Sequence, residues 1–424
     1  MTRINANPFA LSPAQLLAAC MVVPLSAAAW SAHAEEHGFV EDATANILAR
    51  NFYFNRDFRQ DSAAQSKQEE WAQGFLLQAQ SGYTQGTVGV GVDIVGMLGV
   101  KLDSGPGRSN SGLLPTQDDG SSADEFSRAG AVGKIRLSKT ELKVGELFPE
   151  LPIAMRNDAR LLPQSYQGGM LTSRELEGLT LYTGQFRSAS QRNESGHADL
   201  AANGIAGVTS DRFNYAGAEY RFNAERTMIG LWQSQLENIY QQRFYNLVHK
   251  QKLGDWSLSA NVGLFTGEDD GSARAGTLDN KSLTSLFGAG YGGHTISAGY
   301  QRMYGDNDAL LLSGASTPLV NDIQVRNFIF AGERSWQARY DYNFAALGIP
   351  GLTTFARYVS GDNVKLAKGG EGHEWERDLD ITYVLQSGPL KNLAVRWRNA
   401  MVRSSFGADI DENRLILAYT IPLK

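Results

Sequence analysis

A period-two alternation of apolar and polar side chains runs through most of the chain and is typical of β-strands with two different faces. In 256–264 and 336–344, apolar residues stand at even positions and polar or small residues at odd ones. The segments 88–94 and 378–385 repeat the pattern, and clusters of Gly, Pro, Asp and Ser such as 104–107 separate such runs. No long helical pattern competes with it, so the sequence predicts an all-β chain.

The composition of the polar phase decides between a soluble β-sandwich and a membrane barrel. Arg, Asp, Asn, Gln and Gly occupy it far from the strand ends. Each unpaired ion in a dry core would cost several kcal/mol, whereas a water-filled lumen removes most of that penalty. An outer-membrane barrel turns its apolar phase to lipid and its polar phase to the lumen. The mean hydropathy of −0.29 is then the average of two faces, and the length suits about 16 to 20 strands.

Residues 1–34 predict a secretory signal peptide. A short start with Arg3, an apolar Ala-rich run at 16–29 and a small-residue exit at 32–34 precede two glutamates. Cleavage after this exit leaves 35–424 as a single outer-membrane β-barrel domain.

An alternative cut lies at 17–20, where the order Leu-Ala-Ala-Cys resembles a lipoprotein processing site. It would leave the following apolar run on the mature chain, so the later cut is preferred. Cys20 is the single cysteine of the chain, and the preferred cut therefore excludes disulfides, thiol catalysis and cysteine-bound metals.

One long segment interrupts the alternation at 146–169. It carries three prolines together with Arg156 and Arg160, and it is too long and too apolar for a plain turn. We therefore predict that it folds inward as a constriction loop; the alternative is a surface loop that packs on itself.

Arginines recur on the polar phase of the predicted strands. Five share this placement: Arg339, Arg357, Arg396, Arg398 and Arg414. Any one of them taken alone is explained as a solvated rim residue, but several together predict a basic lumen. Guanidinium groups can replace the hydration of a carboxylate through paired hydrogen bonds. Asp341, Asp378 and Asp380 are candidates for an opposing acidic wall.

Four stretches spread over the chain carry a family resemblance: 49–57, 161–169, 299–306, and 396–400 with 411–414. In them the chain resembles the OprD family of outer-membrane porins, the substrate-specific carboxylate (Occ) channels of pseudomonads and their relatives. The resemblance implies an antiparallel transmembrane β-barrel of about 18 strands, one inward-folded loop, and a run of Arg and Lys along the lumen.

The resemblance also implies pore positions for Arg50, Arg56 and Arg192, although Phe52 and Phe54 share the phase of the first two. The full set of expected substrate-binding residues is Arg50, Arg56, Arg156, Arg160, Arg192, Arg339, Arg357, Arg396, Arg398 and Arg414. The predicted function is passive uptake of small carboxylates, aromatic or other monocarboxylates in particular. The alternatives are a channel of the same family for basic amino acids and small peptides, an outer-membrane barrel enzyme, and a receptor or adhesin.

Short motifs for catalysis or cofactors are incomplete. The run at 288–293 fits G-x-G-x-x-G but precedes no helical pattern, and Arg377 stands where a zinc-protease motif beginning at His373 needs histidine. The acidic turn at 306–308 could bind calcium, but the same residues also suit an ordinary turn. His197 and Asp199 could be part of a hydrolytic site, but residues so close together in one loop rarely have the geometry of a catalytic triad. We therefore predict no catalytic residue, metal or cofactor.

The expected partners follow from this reading. They are small carboxylate solutes, outer-membrane lipid and lipopolysaccharide, and the periplasmic chaperones and barrel-assembly machinery. The net charge of −6 argues against nucleic acid. The expected oligomeric state is a monomer or a weak trimer, in the bacterial outer membrane.

Overall fold

The computed structural model describes residues 38–60 and 65–424. The predicted signal peptide, 1–34, lies outside these residues. The strands of the described part are β1 (Thr44–Phe58), β2 (Lys67–Gln80), β3 (Val88–Asp103), β4 (Glu125–Leu137), β5 (Thr140–Leu147), β6 (Glu150–Leu151), β7 (Ala154–Met155), β8 (Ser165–Ser173), β9 (Leu179–Ser190), β10 (Leu200–Ala201), β11 (Thr209–Ser210), β12 (Phe213–Phe222), β13 (Thr227–Leu236), β14 (Tyr240–Leu253), β15 (Trp256–Asp269), β16 (Asp279–Tyr291), β17 (His294–Gly305), β18 (Arg334–Asn343), β19 (Leu352–Lys365), β20 (Glu371–Val384), β21 (Ala394–Ser404) and β22 (Ile410–Pro422). A 3-10 turn, Phe344–Leu347, follows β18. Within 38–60 and 65–424, no helix has the length and apolar character needed to cross a membrane.

Eighteen of these strands form one closed antiparallel sheet. β1 closes it, because Leu48 pairs with Leu76 of β2 on one side and with Thr420 of β22 on the other. The remaining strands form two small hairpins, β6–β7 and β10–β11, which lie within the connections that follow β5 and β9. The predicted all-β class and antiparallel barrel of about 18 strands are confirmed.

The connections differ strongly between the two ends of the barrel. The longest all leave one end: 104–124, 148–164, 191–212 and 306–333. Turns at the opposite end are as short as two residues, at 138–139 and 254–255. The two ends of the barrel sequence meet at this end, where the backbone amide of Ala45 donates to the backbone oxygen of Lys424 (3.3 Å). Since barrels of this class have long extracellular loops and short periplasmic turns, the long-loop end is extracellular.

The two faces of the barrel wall match the alternation of the sequence. On β3, Val88, Val90, Val92 and Ile94 are exposed on the outside, whereas Asp93 and its neighbouring glycines face inward. Outward aromatic residues gather near both edges, as at Trp336 and Trp256. This is the arrangement of a lipid-facing wall with aromatic girdles.

A dry aromatic cluster fills one side of the interior, on the strands from β8 to β15. The rings of Phe244 and Phe265 stack at 4.0 Å, and those of Phe186 and Phe213 lie parallel at 6.2 Å. Leu310 and other residues of 306–333 pack against this cluster. The packed side confines the pore to the opposite side, where β18 to β22 and β1 carry the inward arginines.

Candidate pore constriction

The segment 148–164 reaches across the lumen to β1. The inward Arg50 of β1 donates to the backbone oxygens of Arg160 (2.6 Å) and Leu161 (3.2 Å) and pairs with Asp158 (2.7 Å). Because β1 is not a neighbour of β5 or β8 in the sheet, these contacts place the loop inside the barrel.

A second loop, 306–333, also enters the lumen and narrows it from the other side. Inward glutamines hold it: Gln301 donates to Phe328 O (2.7 Å) and Gln337 to Val320 O (2.7 Å). The carboxylate of Glu376 on β20 accepts hydrogen bonds from Val325 N (2.9 Å) and Arg326 N (2.7 Å). One inward loop was predicted from the sequence, and this second one was not. The length of the interruption between β17 and β18 was the available signal.

The backbones of the two loops meet: Ser316 N donates to Met155 O (2.9 Å). They thus form one continuous partition, which contacts the barrel wall at Arg50 of β1 and at Glu376 of β20. Residues 104–124 complete the partition on its extracellular side, where Leu113 and Leu114 are fully buried.

Four guanidinium groups surround the narrow part of the pore. Those of Arg160, Arg56 and Arg414 lie 5.0, 5.3 and 5.5 Å from the ring of Phe54. Glu412 is the carboxylate among them, pairing with Arg56 (2.6 Å) and Arg414 (2.6 Å). We call Arg56, Arg160, Arg192 and Arg414 the arginine cluster; with Glu412 it has a formal excess of positive charge.

Burial and mutual repulsion are visible in the pKa values of the two loop members. Burial lowers the pKa of Arg160 well below its usual value, and the charges of Arg414 and Arg192 add to the effect. Burial, followed by the charge of Arg414, lowers the pKa of Arg192 to about 10. With a pKa of about 10, Arg192 remains cationic at neutral pH. An incoming anion would relieve the repulsion that it experiences from the neighbouring arginines.

Of the ten predicted arginines, Arg160 and Arg192 are the two that form no ion pair with a carboxylate of the described residues. Arg160 donates to the backbone oxygens of Ser111 (2.9 Å) and Ala159 (3.1 Å). Arg192 makes no hydrogen bond or ion pair with the described part of the chain. Gly112 lies beside it at φ +79°, and a Cβ at that position would be in van der Waals contact with Arg192 Nη2, at 3.4 Å. Arg160 is buried, with 7% of its surface exposed, and Arg192 is half-buried, so an anion that reaches the constriction meets two guanidinium charges that no carboxylate neutralises.

The strand arginines of the opposite wall are already paired with acidic residues. Ion pairs join Arg357 to Asp378 (2.5 Å), Arg396 and Arg398 to Asp380 (2.7 and 3.1 Å), and Arg339 to Asp341 (2.6 Å). The expectation of a separate acidic wall is therefore wrong: the three aspartates lie between the arginines, because the register brings opposite charges side by side on neighbouring inward positions.

All ten predicted arginines have been located. Seven lie on the inward phase of their strands, and three lie on the loops: Arg156, Arg160 and Arg192. Arg156 pairs with Glu150 (2.8 Å) on the loop itself, away from the arginine cluster. The structure adds Phe54, Glu412 and Asp322 to the predicted set.

Asp322, on 306–333, is a further acidic group near the constriction. Its Oδ2 accepts a hydrogen bond from Thr317 N (3.2 Å). Burial raises its pKa to about 7, against the opposing effects of that hydrogen bond and of Arg357 and Arg192. The carboxyl therefore changes charge close to neutral pH.

The residues weighed for metal binding or hydrolysis have structural partners. Asp306 pairs with Lys365 (2.8 Å), and Asp308 accepts from Ala331 N (2.8 Å). His197 contacts Glu146 (2.9 Å) rather than Asp199. Among the described residues, no group of three His, Cys, Asp or Glu could hold a metal ion.

A closed 18-stranded barrel with an inward partition and a basic lumen is an outer-membrane channel. The family model described as "outer membrane porin, OprD family" matches residues 37–423, and the chain belongs to this family. Its members are porins, which are channels and not enzymes, and they lie in the bacterial outer membrane.

Solved structures of Pseudomonas aeruginosa channels are similar throughout. OccK9 (OpdG) has 64% identity and a TM-score of 0.90. OpdK, crystallised with vanillate, has 49% identity and a TM-score of 0.87, and OccK2 (OpdF), in complex with glucuronate, has 46% and 0.84. Each comparison covers 91% of this chain and 100% of the other.

Proposed function

We propose that this chain mediates passive, selective uptake of small carboxylates across the outer membrane. The observation that carries the proposal is the pair of guanidinium groups, Arg160 and Arg192, that stand at the constriction without a carboxylate partner. A carboxylate that loses water at this point finds charge-assisted hydrogen bonds there instead. The low-dielectric walls also concentrate the field of the arginine cluster and raise the local anion concentration.

Translocation needs sites from which the solute can leave. Arg339, Arg357, Arg396 and Arg398 share their charge with aspartates, so each attracts an anion more weakly than Arg160 or Arg192 does. A carboxylate moving from the constriction along this wall exchanges one weak site for another. A series of weak sites conducts, whereas a single deep one traps.

The proposed substrates are monocarboxylates, aromatic ones included. Vanillate with OpdK and glucuronate with OccK2 support a carboxylate, since both ligands carry one. In this chain the formal charge excess at the constriction is positive, which disfavours the alternative of basic amino acids. The ring of Phe54 beneath three guanidinium groups adds an apolar surface to the charged site.

Single-channel recording in planar bilayers, combined with liposome uptake of benzoate and arginine, tests the proposal. We expect an anion-selective pore and faster uptake of benzoate than of arginine. A cation-selective pore, or preferential uptake of arginine, would replace the proposal by the basic amino acid alternative. Absence of any conductance would contradict the channel itself.

Anion selectivity should depend on pH through Asp322. Because the folded-state pKa is raised to about 7, the carboxyl is neutral at pH 5.5 and negative at pH 8.5. We expect chloride-over-potassium permeability to fall by about twofold between these values, since the added charge opposes Arg192. The reversal potential under a salt gradient measures it. Asp322→Asn should hold the low-pH selectivity throughout, and an unchanged pH profile in this variant would exclude Asp322 as the cause.

A further inference from the structure

Three basic residues stand on the outside of the barrel near its extracellular edge. They are Arg243 on β14, Lys281 on β16 and Arg302 on β17, which we call the outer basic cluster. Each shares the outward phase of its strand with exposed apolar or aromatic residues, for example Tyr245 on β14 and Tyr300 on β17. They therefore face the membrane and not the lumen.

The strand register brings the three cations together. Thr266 of β15 pairs with Arg243 on one side and with Lys281 on the other. Since neighbouring strands lie about 4.8 Å apart, the backbones at Arg243 and Lys281 are roughly 10 Å apart, within reach of a shared ligand. Lys281 pairs with Tyr304, and Arg302 lies two residues before Tyr304 on the same face.

The charges of the outer basic cluster are not neutralised by the protein. Arg243 Nε donates to the amide oxygen of Gln233 (3.0 Å), and the guanidinium of Arg302 lies 5.0 Å from the ring of Tyr304. The Nε of Arg302 is buried and has no hydrogen-bond partner. Within 38–60 and 65–424, no carboxylate forms an ion pair with any of the three. Other outward arginines at this edge are paired, as Arg334 is with Asp362.

The nearest outward carboxylates lie one step further toward the loops. Glu268 and Asp279 pair in register, each two residues closer to the strand end than Thr266 and Lys281. The cations thus lie between these carboxylates and the aromatic belt of Tyr245 and Tyr300. Aromatic belts mark the headgroup level of a bilayer. The outer basic cluster therefore lies at the level of lipid headgroups in the outer leaflet.

We propose that the outer basic cluster binds a phosphate group of the phosphorylated glycolipid of the outer leaflet, the lipid A part of lipopolysaccharide. Phosphate is the anion that the membrane offers at this depth, and the forked guanidinium groups of Arg243 and Arg302 match its geometry. The site faces lipid, so this inference does not depend on the substrate of the pore.

The test compares the full chain with the variant R243Q/K281Q/R302Q by native mass spectrometry and by lipid A titration in detergent. Each basic residue at a membrane surface contributes enough that the loss of three weakens binding by about a hundredfold. The matched control is K139Q/K252Q/K391Q, which removes three exposed charges near the periplasmic end. Single-channel conductance of both variants verifies that the barrel is folded.

Binding that weakens at least tenfold in R243Q/K281Q/R302Q and stays unchanged in the control supports the site. Equal binding by the full chain and both variants overturns it, as does equal loss in the control. The experiment has two further arms: one uses lipid A from which the phosphate groups have been removed, and the other uses inorganic phosphate as a competitor. Dephosphorylated lipid that binds as well as lipid A overturns the role of phosphate, and displacement by equimolar inorganic phosphate overturns the lipid as its source.

Discussion

Replacing Arg160 and Arg192 together by glutamine is expected to lower benzoate uptake by at least tenfold. Glutamine keeps a polar side chain, two bonds shorter than that of arginine, but lacks the charge that an entering carboxylate meets at the constriction. A charge-assisted hydrogen bond contributes about 1.5–3 kcal/mol, so the loss of two is sufficient for an effect of this size. Uptake of a neutral solute such as glycerol should change by less than twofold, because glycerol carries no charge and the backbone of the partition is retained.

The single variant R192Q separates the two contributions. Arg192 forms no hydrogen bond with the described residues, so its replacement removes charge without breaking packing. Arg160 also holds Ser111 O, and its loss can loosen residues 104–124. We expect R192Q alone to reduce benzoate uptake several-fold.

The matched control for the double variant is R187Q/R226Q, which removes two exposed charges outside the lumen. Liposome uptake at low salt gives the largest signal, because salt screens exposed charge. Undiminished benzoate uptake in R160Q/R192Q, with the barrel folded, would remove both arginines from the transport path.

The wall of this channel was predictable because alternation is local. A residue on β21 such as Arg398 has its phase fixed by Val395 and Trp397, a few positions away. The same reasoning was ambiguous for Arg56, since Phe54 shares its phase. The structure explains the ambiguity: Phe54 is inward too and lies beneath the guanidinium groups. An apolar residue on the inward phase of a porin strand is therefore not evidence against a pore position.

The pairing of charges was not predictable, because it depends on register between distant parts of the chain. Glu412 meets Arg56 only because β22 closes on β1, and Arg160 reaches the cluster only because its loop crosses the lumen. Whether an arginine is free or paired follows from these contacts and not from its spacing. For the same reason a chain with net charge −6 presents a positive constriction.

The second large effect concerns the loop that the sequence did not reveal. Replacing Glu376 by alanine is expected to raise single-channel conductance about twofold and to increase current noise. The carboxyl group accepts two backbone hydrogen bonds from 306–333, at Val325 and Arg326. A hydrogen bond contributes about 0.5–1.5 kcal/mol, and an amide left without its acceptor costs about 1–3 kcal/mol, so the loss of both bonds is enough to loosen this part of the partition.

Glu376→Gln distinguishes anchoring from charge. Its amide oxygen can accept one of the two hydrogen bonds, so an intermediate conductance is expected if anchoring is the cause. Glu371→Ala, on an exposed position of the same strand, is the control that removes a carboxylate without touching the loop. If Glu376→Ala and Glu371→Ala conduct alike, the anchors at Gln301 and Gln337 suffice to hold 306–333. Anion selectivity distinguishes the roles of the two loops. Release of 306–333 in Glu376→Ala widens the pore but leaves Arg160 and Arg192 in place. The preference for anions should therefore weaken less in Glu376→Ala than in R160Q/R192Q.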